Sequence, residues 1–99
     1  MEQLQRCTGF EWDDGNSGKN WKKHRVSDGE CEEVFFNAPL VAIPDVGHSH
    51  DEERILVLGR TESGRKLFVV CTVRRDRIRV ISAREMTKRE REAYILHGG

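Results

Sequence analysis

The spacing of apolar residues changes along the chain, and each change marks an element. Phe10-Glu11-Trp12 alternates apolar, polar, apolar, the pattern of a short edge strand, and runs into the turn-rich Asp13-Asp14-Gly15-Asn16-Ser17-Gly18. A short helix is predicted over Lys19–His24, with Trp21 as its packing anchor. Ser27-Asp28-Gly29-Glu30 spells a capping box: the Ser27 hydroxyl can accept from the Glu30 N–H while the Glu30 carboxylate reaches back. A second helix is therefore predicted, with Cys31, Val34 and Phe35 as its apolar stripe and Asp28, Glu30, Glu32 and Glu33 on the other side. It is expected to stop near Asn37-Ala38-Pro39, because Pro39 disfavours helical geometry at Ala38.

Downstream, strand-like runs alternate with turns. Leu40–Val46, Arg54–Thr61, Lys66–Val73 and Arg77–Arg84 read as a meander, with Ser63-Gly64 and Arg74-Arg75-Asp76 as its tight turns. In the last run Ile78, Val80 and Ser82 fall on one face and Arg77, Arg79 and Ile81 on the other, which predicts a wet, cationic face. Thr87-Lys88-Arg89-Glu90 repeats the capping box and starts a terminal helix through about Leu96. Ala93, Leu96 and Met86 are its expected docking residues, with Tyr94 at the margin. The expected architecture is α+β: a four-stranded, mainly antiparallel sheet with two N-terminal helices and one C-terminal helix. Residues 1–99 form one domain, with 1–8 a candidate flexible segment.

A chain of 99 residues buries only about 60–65% of its unfolded surface, so a partner would add appreciably to its stability. There is no run of about 20 apolar residues to span a membrane, and Met1–Gln5 lacks the apolar core of a secretory signal, so a cytoplasmic location is expected. Cys7, Cys31 and Cys71 lack paired spacing and read as ordinary thiols, Cys71 as a small core residue. The zero net charge hides a division. Residues 1–53 carry 5 Lys/Arg against 12 Asp/Glu, and residues 54–99 carry 12 against 5. Ten of the twelve later cations are arginines, whose planar fork suits phosphate or carboxylate, so the expected partner is nucleic acid or an acidic protein surface.

Gly59 and Gly64 stand alone, without phosphate-loop spacing, and no cofactor is expected. His48-Ser49-His50-Asp51 brings possible ligands together but reads as loop polarity, so no metal is expected either. His24 ends the first helix among Lys22, Lys23 and Arg25. If the fold gathers it with Arg60, Arg79 or Arg84, the arginines can hold a phosphodiester and stabilise its developing charge. RNA supplies its own nucleophile in the 2′-OH; a side chain must take that proton and another must protonate the departing oxygen. His24 is the candidate for one of those roles. A purely structural arginine row is the alternative.

The order of these motifs resembles the BrnT family of type II toxin–antitoxin toxins. The resemblance runs from Phe10-Glu11-Trp12-Asp13 through Asn20, Lys23-His24, Val26-Ser27, Glu33-Val34-Phe35, Pro39-Leu40, the Asp45 to Arg54 segment and Gly59-Arg60. It is most specific in Arg77-Ile78-Arg79-Val80-Ile81-Ser82-Ala83-Arg84, followed by Thr87, Arg89-Glu90-Arg91 and Tyr94. It implies a compact RelE-like fold and a metal-independent endoribonuclease that inhibits translation. It also implies a BrnA-like ribbon-helix-helix antitoxin as partner, a 2:2 complex, and operator DNA bound through the antitoxin. Carried over, it makes His24, Arg60, Arg79 and Arg84 the catalytic residues and Lys23, Arg77 and Tyr94 the RNA contacts. A noncatalytic antitoxin-binding protein of the same fold is the competing function.

Overall fold

In a computed structural model that describes residues 2–48 and 52–99, the chain folds around one mixed five-stranded sheet. The strands are β1 (Gly9–Phe10), β2 (Val41–Pro44), β3 (Ile55–Arg60), β4 (Lys66–Arg74) and β5 (Arg77–Glu85), in the order β1-β5-β4-β3-β2. The expected four-strand meander is present, every neighbouring pair antiparallel. The short edge strand expected over Phe10-Glu11-Trp12 forms one residue earlier, at Gly9–Phe10, and adds to it in parallel with β5. The helices are α1 (Glu2–Gln5), α2 (Lys19–His24), α3 (Asp28–Val34) and α4 (Lys88–Leu96). The candidate flexible segment 1–8 thus contains a helical turn, and its Leu4 is buried in the core.

Local chemistry sets the boundaries. Glu30 N donates to Ser27 Oγ at 3.1 Å and Ser27 N to Glu30 Oε1 at 3.0 Å; Glu90 N donates to Thr87 Oγ1 at 3.2 Å and Thr87 N to Glu90 Oε1 at 2.8 Å. Both capping boxes therefore start helices where the sequence predicts them. The β4–β5 turn places Arg75 and Asp76 at φ 52° and 62°, the paired positive dihedrals of a two-residue hairpin that matches the strand twist.

One face of the sheet carries the main core. Ile55, Val57, Leu67, Val69, Cys71, Ile78, Val80 and Ala83 lie against Val26, Cys31 and Val34 of the α2–α3 unit. Helix α3 approaches β3 so closely that a Cβ on Gly59 would collide with Val34 Cγ1. Burial pushes the Cys31 thiol up to about 12, with Asp28, Glu30 and Glu32 adding to it, and pushes Cys71 to about 12, with Cys7 adding.

The strict alternation expected along β5 does not hold. Val70 pairs with Ser82 while the next residue, Cys71, pairs with Val80, so Ile81 is an extra residue in a bulge. Past it Ala83, and not Ser82, takes the buried position, and Arg84 moves onto the same face as Arg77 and Arg79. The docking of α4 also differs. Ala93 and Leu96 are exposed, whereas Tyr94 and Met86 are buried outside the main core. Glu90 is held by Arg84 in the first turn, and Tyr94 lies four residues further on the same side.

Candidate functional site

The outer edge of β5 is covered by β1 for only two residues. Beyond them two buried asparagines take over: Asn16 Nδ2 donates to Val80 O at 3.0 Å, and Asn20 Oδ1 accepts from Ala83 N at 2.9 Å. Asn20 thereby pins α2 along this edge, its own Nδ2 having no partner among the described residues. These contacts span more than sixty positions of chain and have no local signature.

His24 is the last residue of α2, and its side chain is exposed. The backbone behind it is gripped by Arg65, the residue before β4. Nη2 donates to His24 O at 3.3 Å and Nη1 to Arg25 O at 2.6 Å, while the same fork meets Glu30 at 3.2 Å and Glu85 at 3.5 Å. Burial works to raise the Glu30 carboxyl, but the Ser27 N–H and Arg65 outweigh it and hold it low. Arg65 therefore ties the His24 turn to the residue that follows Arg84. It was read in the sequence only as one cation among twelve.

Arg84 lies beside Phe68, its guanidinium 4.4 Å from the ring centroid, and forks onto Glu90 at 2.8 and 3.0 Å. That fork holds the Glu90 carboxyl below its ordinary range against the effect of burial. Arg60, at the end of β3, is exposed and faces Lys66 across the ladder. Tyr94 is wholly buried and its hydroxyl donates to Pro39 O at 2.7 Å. That is the place of a packing anchor, and a side chain without exposed area offers RNA no surface. Burial raises its phenol, and nearby Arg60 opposes the rise.

Arg79 belongs to a second cluster. Five residues of strand, roughly 15 Å, separate it from Arg84. Its fork takes Glu11 at 2.9 Å and both Asp13 oxygens at 3.0 Å. Arg74 beside it takes Glu52 at 2.5 Å and Glu11 at 3.4 Å. Arg79 holds Asp13, and Arg74 holds Glu52, below the usual carboxylate range. Arg77 is exposed at the same end. Of the expected cationic face, Arg79 is thus neutralised by acids from the first half of the chain while Arg77 stays exposed, and the seven candidate residues divide between two places. His24, Lys23, Arg60 and Arg84 belong to one end of the sheet, with Tyr94 buried beneath; Arg77 and Arg79 belong to the other.

Trp21, expected as a packing anchor, is 49% exposed. Among the described residues no three His, Cys, Asp or Glu side chains are gathered as a metal would require, and the loop at 49–51 lies outside those residues. No helix among them is long and apolar enough to cross a membrane. Compared with known proteins, residues 12–90 match the family model described as "Ribonuclease toxin, BrnT, of type II toxin-antitoxin system". No curated protein gives a significant match.

Proposed function

The chain belongs to the BrnT family of type II toxin–antitoxin ribonuclease toxins, and on that premise we propose that it is a metal-independent endoribonuclease that cleaves cellular RNA in the cytoplasm and stops translation. The match over residues 12–90 carries this reading. The end of the sheet that keeps the exposed cations Lys22, Lys23 and Arg60 beside the exposed His24 imidazole supports it.

In the proposed reaction the ribose 2′-oxygen bonds to the adjacent phosphorus as the P–O5′ bond breaks, leaving a 2′,3′-cyclic phosphate and a 5′-hydroxyl. His24 carries out one of the two proton transfers, from the 2′-OH or to the departing 5′-oxygen, solvent water the other, and Arg60 and Arg84 hold the phosphate oxygens as charge builds. Lys23 and Arg77 bind flanking phosphates. Arg79 joins them when Glu11 and Asp13 release it. Tyr94 acts from beneath the surface by anchoring α4 to Pro39. The partner is a BrnA-like antitoxin with a ribbon-helix-helix dimer at its centre, which gives a 2:2 complex that reaches operator DNA through the antitoxin.

Purified protein incubated with single-stranded and structured RNA in EDTA is expected to give products ending in cyclic phosphate. Intact RNA across such substrates, with the protein folded, overturns the catalytic reading. One observation favours a noncatalytic antitoxin binder instead: Arg79 and Arg84 already hold carboxylates. That alternative predicts tight antitoxin binding without cleavage.

A further inference from the structure

The exposed side of α2 holds a feature that the proposed chemistry does not use. Trp21 leaves 49% of its surface in solvent. Arg25, the C-cap, has φ 55°, and this left-handed turn brings its guanidinium to 5.3 Å from the indole centroid. Trp21 and His24 are three residues apart on one helix, so they share a face, and Lys22 and Lys23 between them are exposed. An indole bordered by cations, beside an exposed imidazole, is poorly suited to an apolar protein partner, which would have to bury those charges unpaired. It suits a nucleobase joined to phosphates: a base can stack on the ring in place of the Arg25 guanidinium that now lies over it, and Arg25 then joins the lysines at the backbone phosphates.

We propose that Trp21 is the stacking platform for one unpaired RNA base, and that this base sets the neighbouring phosphodiester against His24. The inference rests on the reading of the chain as an RNA-cleaving toxin and adds a base subsite to it. Lys22, Lys23 and Arg25 neutralise the phosphates on either side of the stacked base. Unpaired RNA is preferred over duplex, whose bases present no free face. Discrimination among the bases is modest, since every base has a π-face.

The test uses the full chain and a fluorescently labelled, unstructured 2′-O-methyl oligonucleotide, which cannot be cleaved through its 2′-position. Anisotropy titrations at low, fixed salt compare wild type, Trp21→Phe and Trp21→Ala. Trp21→Ala is expected to weaken binding about tenfold, with Trp21→Phe retaining most of the affinity. An oligonucleotide of abasic residues should bind wild type and Trp21→Ala equally. If Trp21→Ala is folded and binds the intact oligonucleotide as wild type does, the subsite is wrong while RNA binding stands. Should Trp21→Ala not fold, wild type binding the abasic chain as tightly as the intact one overturns the subsite. If wild type binds no oligonucleotide at all, the RNA-cleaving reading fails first and the subsite with it.

Discussion

The two ends of β5 carry arginines of the same kind and use them differently. At the Arg79 end, Glu11, Asp13 and Glu52 converge from distant parts of the chain, so Arg74 and Arg79 serve as clamps that hold the N-terminal loop and the β2–β3 connection onto the sheet. At the Arg84 end the arginines are paired too, Arg65 with Glu30 and Glu85, and Arg84 with Glu90. Here the exposed cations around them are Lys22, Lys23, Arg25 and Arg60, beside the exposed His24 imidazole, whereas the other end exposes Arg75 and Arg77 at its hairpin. The paired arginines must give up a carboxylate before they can meet an anion, and the exposed cations need not. Counting basic residues overstates the cations open to an anion; the carboxylates that fold onto them must first be subtracted.

The strongest way to break the comparison is kinetic. His24→Gln should lower the RNA cleavage rate by about 10²–10⁴-fold with the fold intact, as expected for loss of a proton-transfer group. Arg79→Gln should chiefly lower the melting temperature; equal kinetic losses in the two variants would erase the distinction between the ends. Next, Arg65→Ala should destabilise by about 2 kcal/mol in urea denaturation, since the carboxylates and the two carbonyls lose their common donor. Arg65→Lys should restore only part of this, because an ammonium cannot span the same four partners.

Tyr94→Phe should cost about 1 kcal/mol through the lost bond to Pro39 and leave oligonucleotide affinity unchanged. A clear fall in affinity would return Tyr94 to the RNA surface. The smallest effect concerns acid. Asp13, Glu30, Glu52 and Glu90 all have carboxyls held below their ordinary range. Their contribution to stability is therefore complete above the unfolded carboxylate pKa, about 4. It is lost as pH falls through their lower folded values. Melting temperatures followed from pH 6 downward should drop below about pH 4, and the fall should be shallower by a few degrees in Arg74→Gln/Arg79→Gln.

What could be read from the sequence was whatever local chemistry decides. Both capping boxes, the bounds of α2 and the meander of four strands follow from residues within a few positions of one another. The candidate site was harder, because its geometry depends on one inserted residue. Arg79 and Arg84 are an odd number of positions apart and should face opposite ways; only the bulge at Ile81 puts them on one face. Charge misled for a related reason. All four acids of α3 are engaged: Asp28 by Ser17 and Gly18, Glu30 by Arg65, Glu32 by the Trp12 indole and Glu33 by the Glu62 N–H. Glu11, Asp13, Glu30 and Glu52 of the acidic half hold Arg65, Arg74 and Arg79 of the basic half, a relation that composition cannot show. Tyr94 and Trp21 exchanged their expected places because Arg84 and Glu90 fix the phase of α4, while Asn20 turns its own side of α2 toward β5.

The two asparagines on the β5 edge also bear on how the protein behaves when crowded. A bare strand edge is a template on which other chains can stack into aggregates. Along β5 that template is occupied from within: Thr8 N bonds Asp76 O, Glu11 N bonds Ile78 O, Asn16 covers Val80 and Asn20 covers Ala83. At the opposite margin β2 ends in Pro44, which has no N–H to offer. Replacing Asn16 and Asn20 with alanine would uncover backbone groups rather than remove surface charge, and the expected result is a protein that still folds but precipitates on concentration.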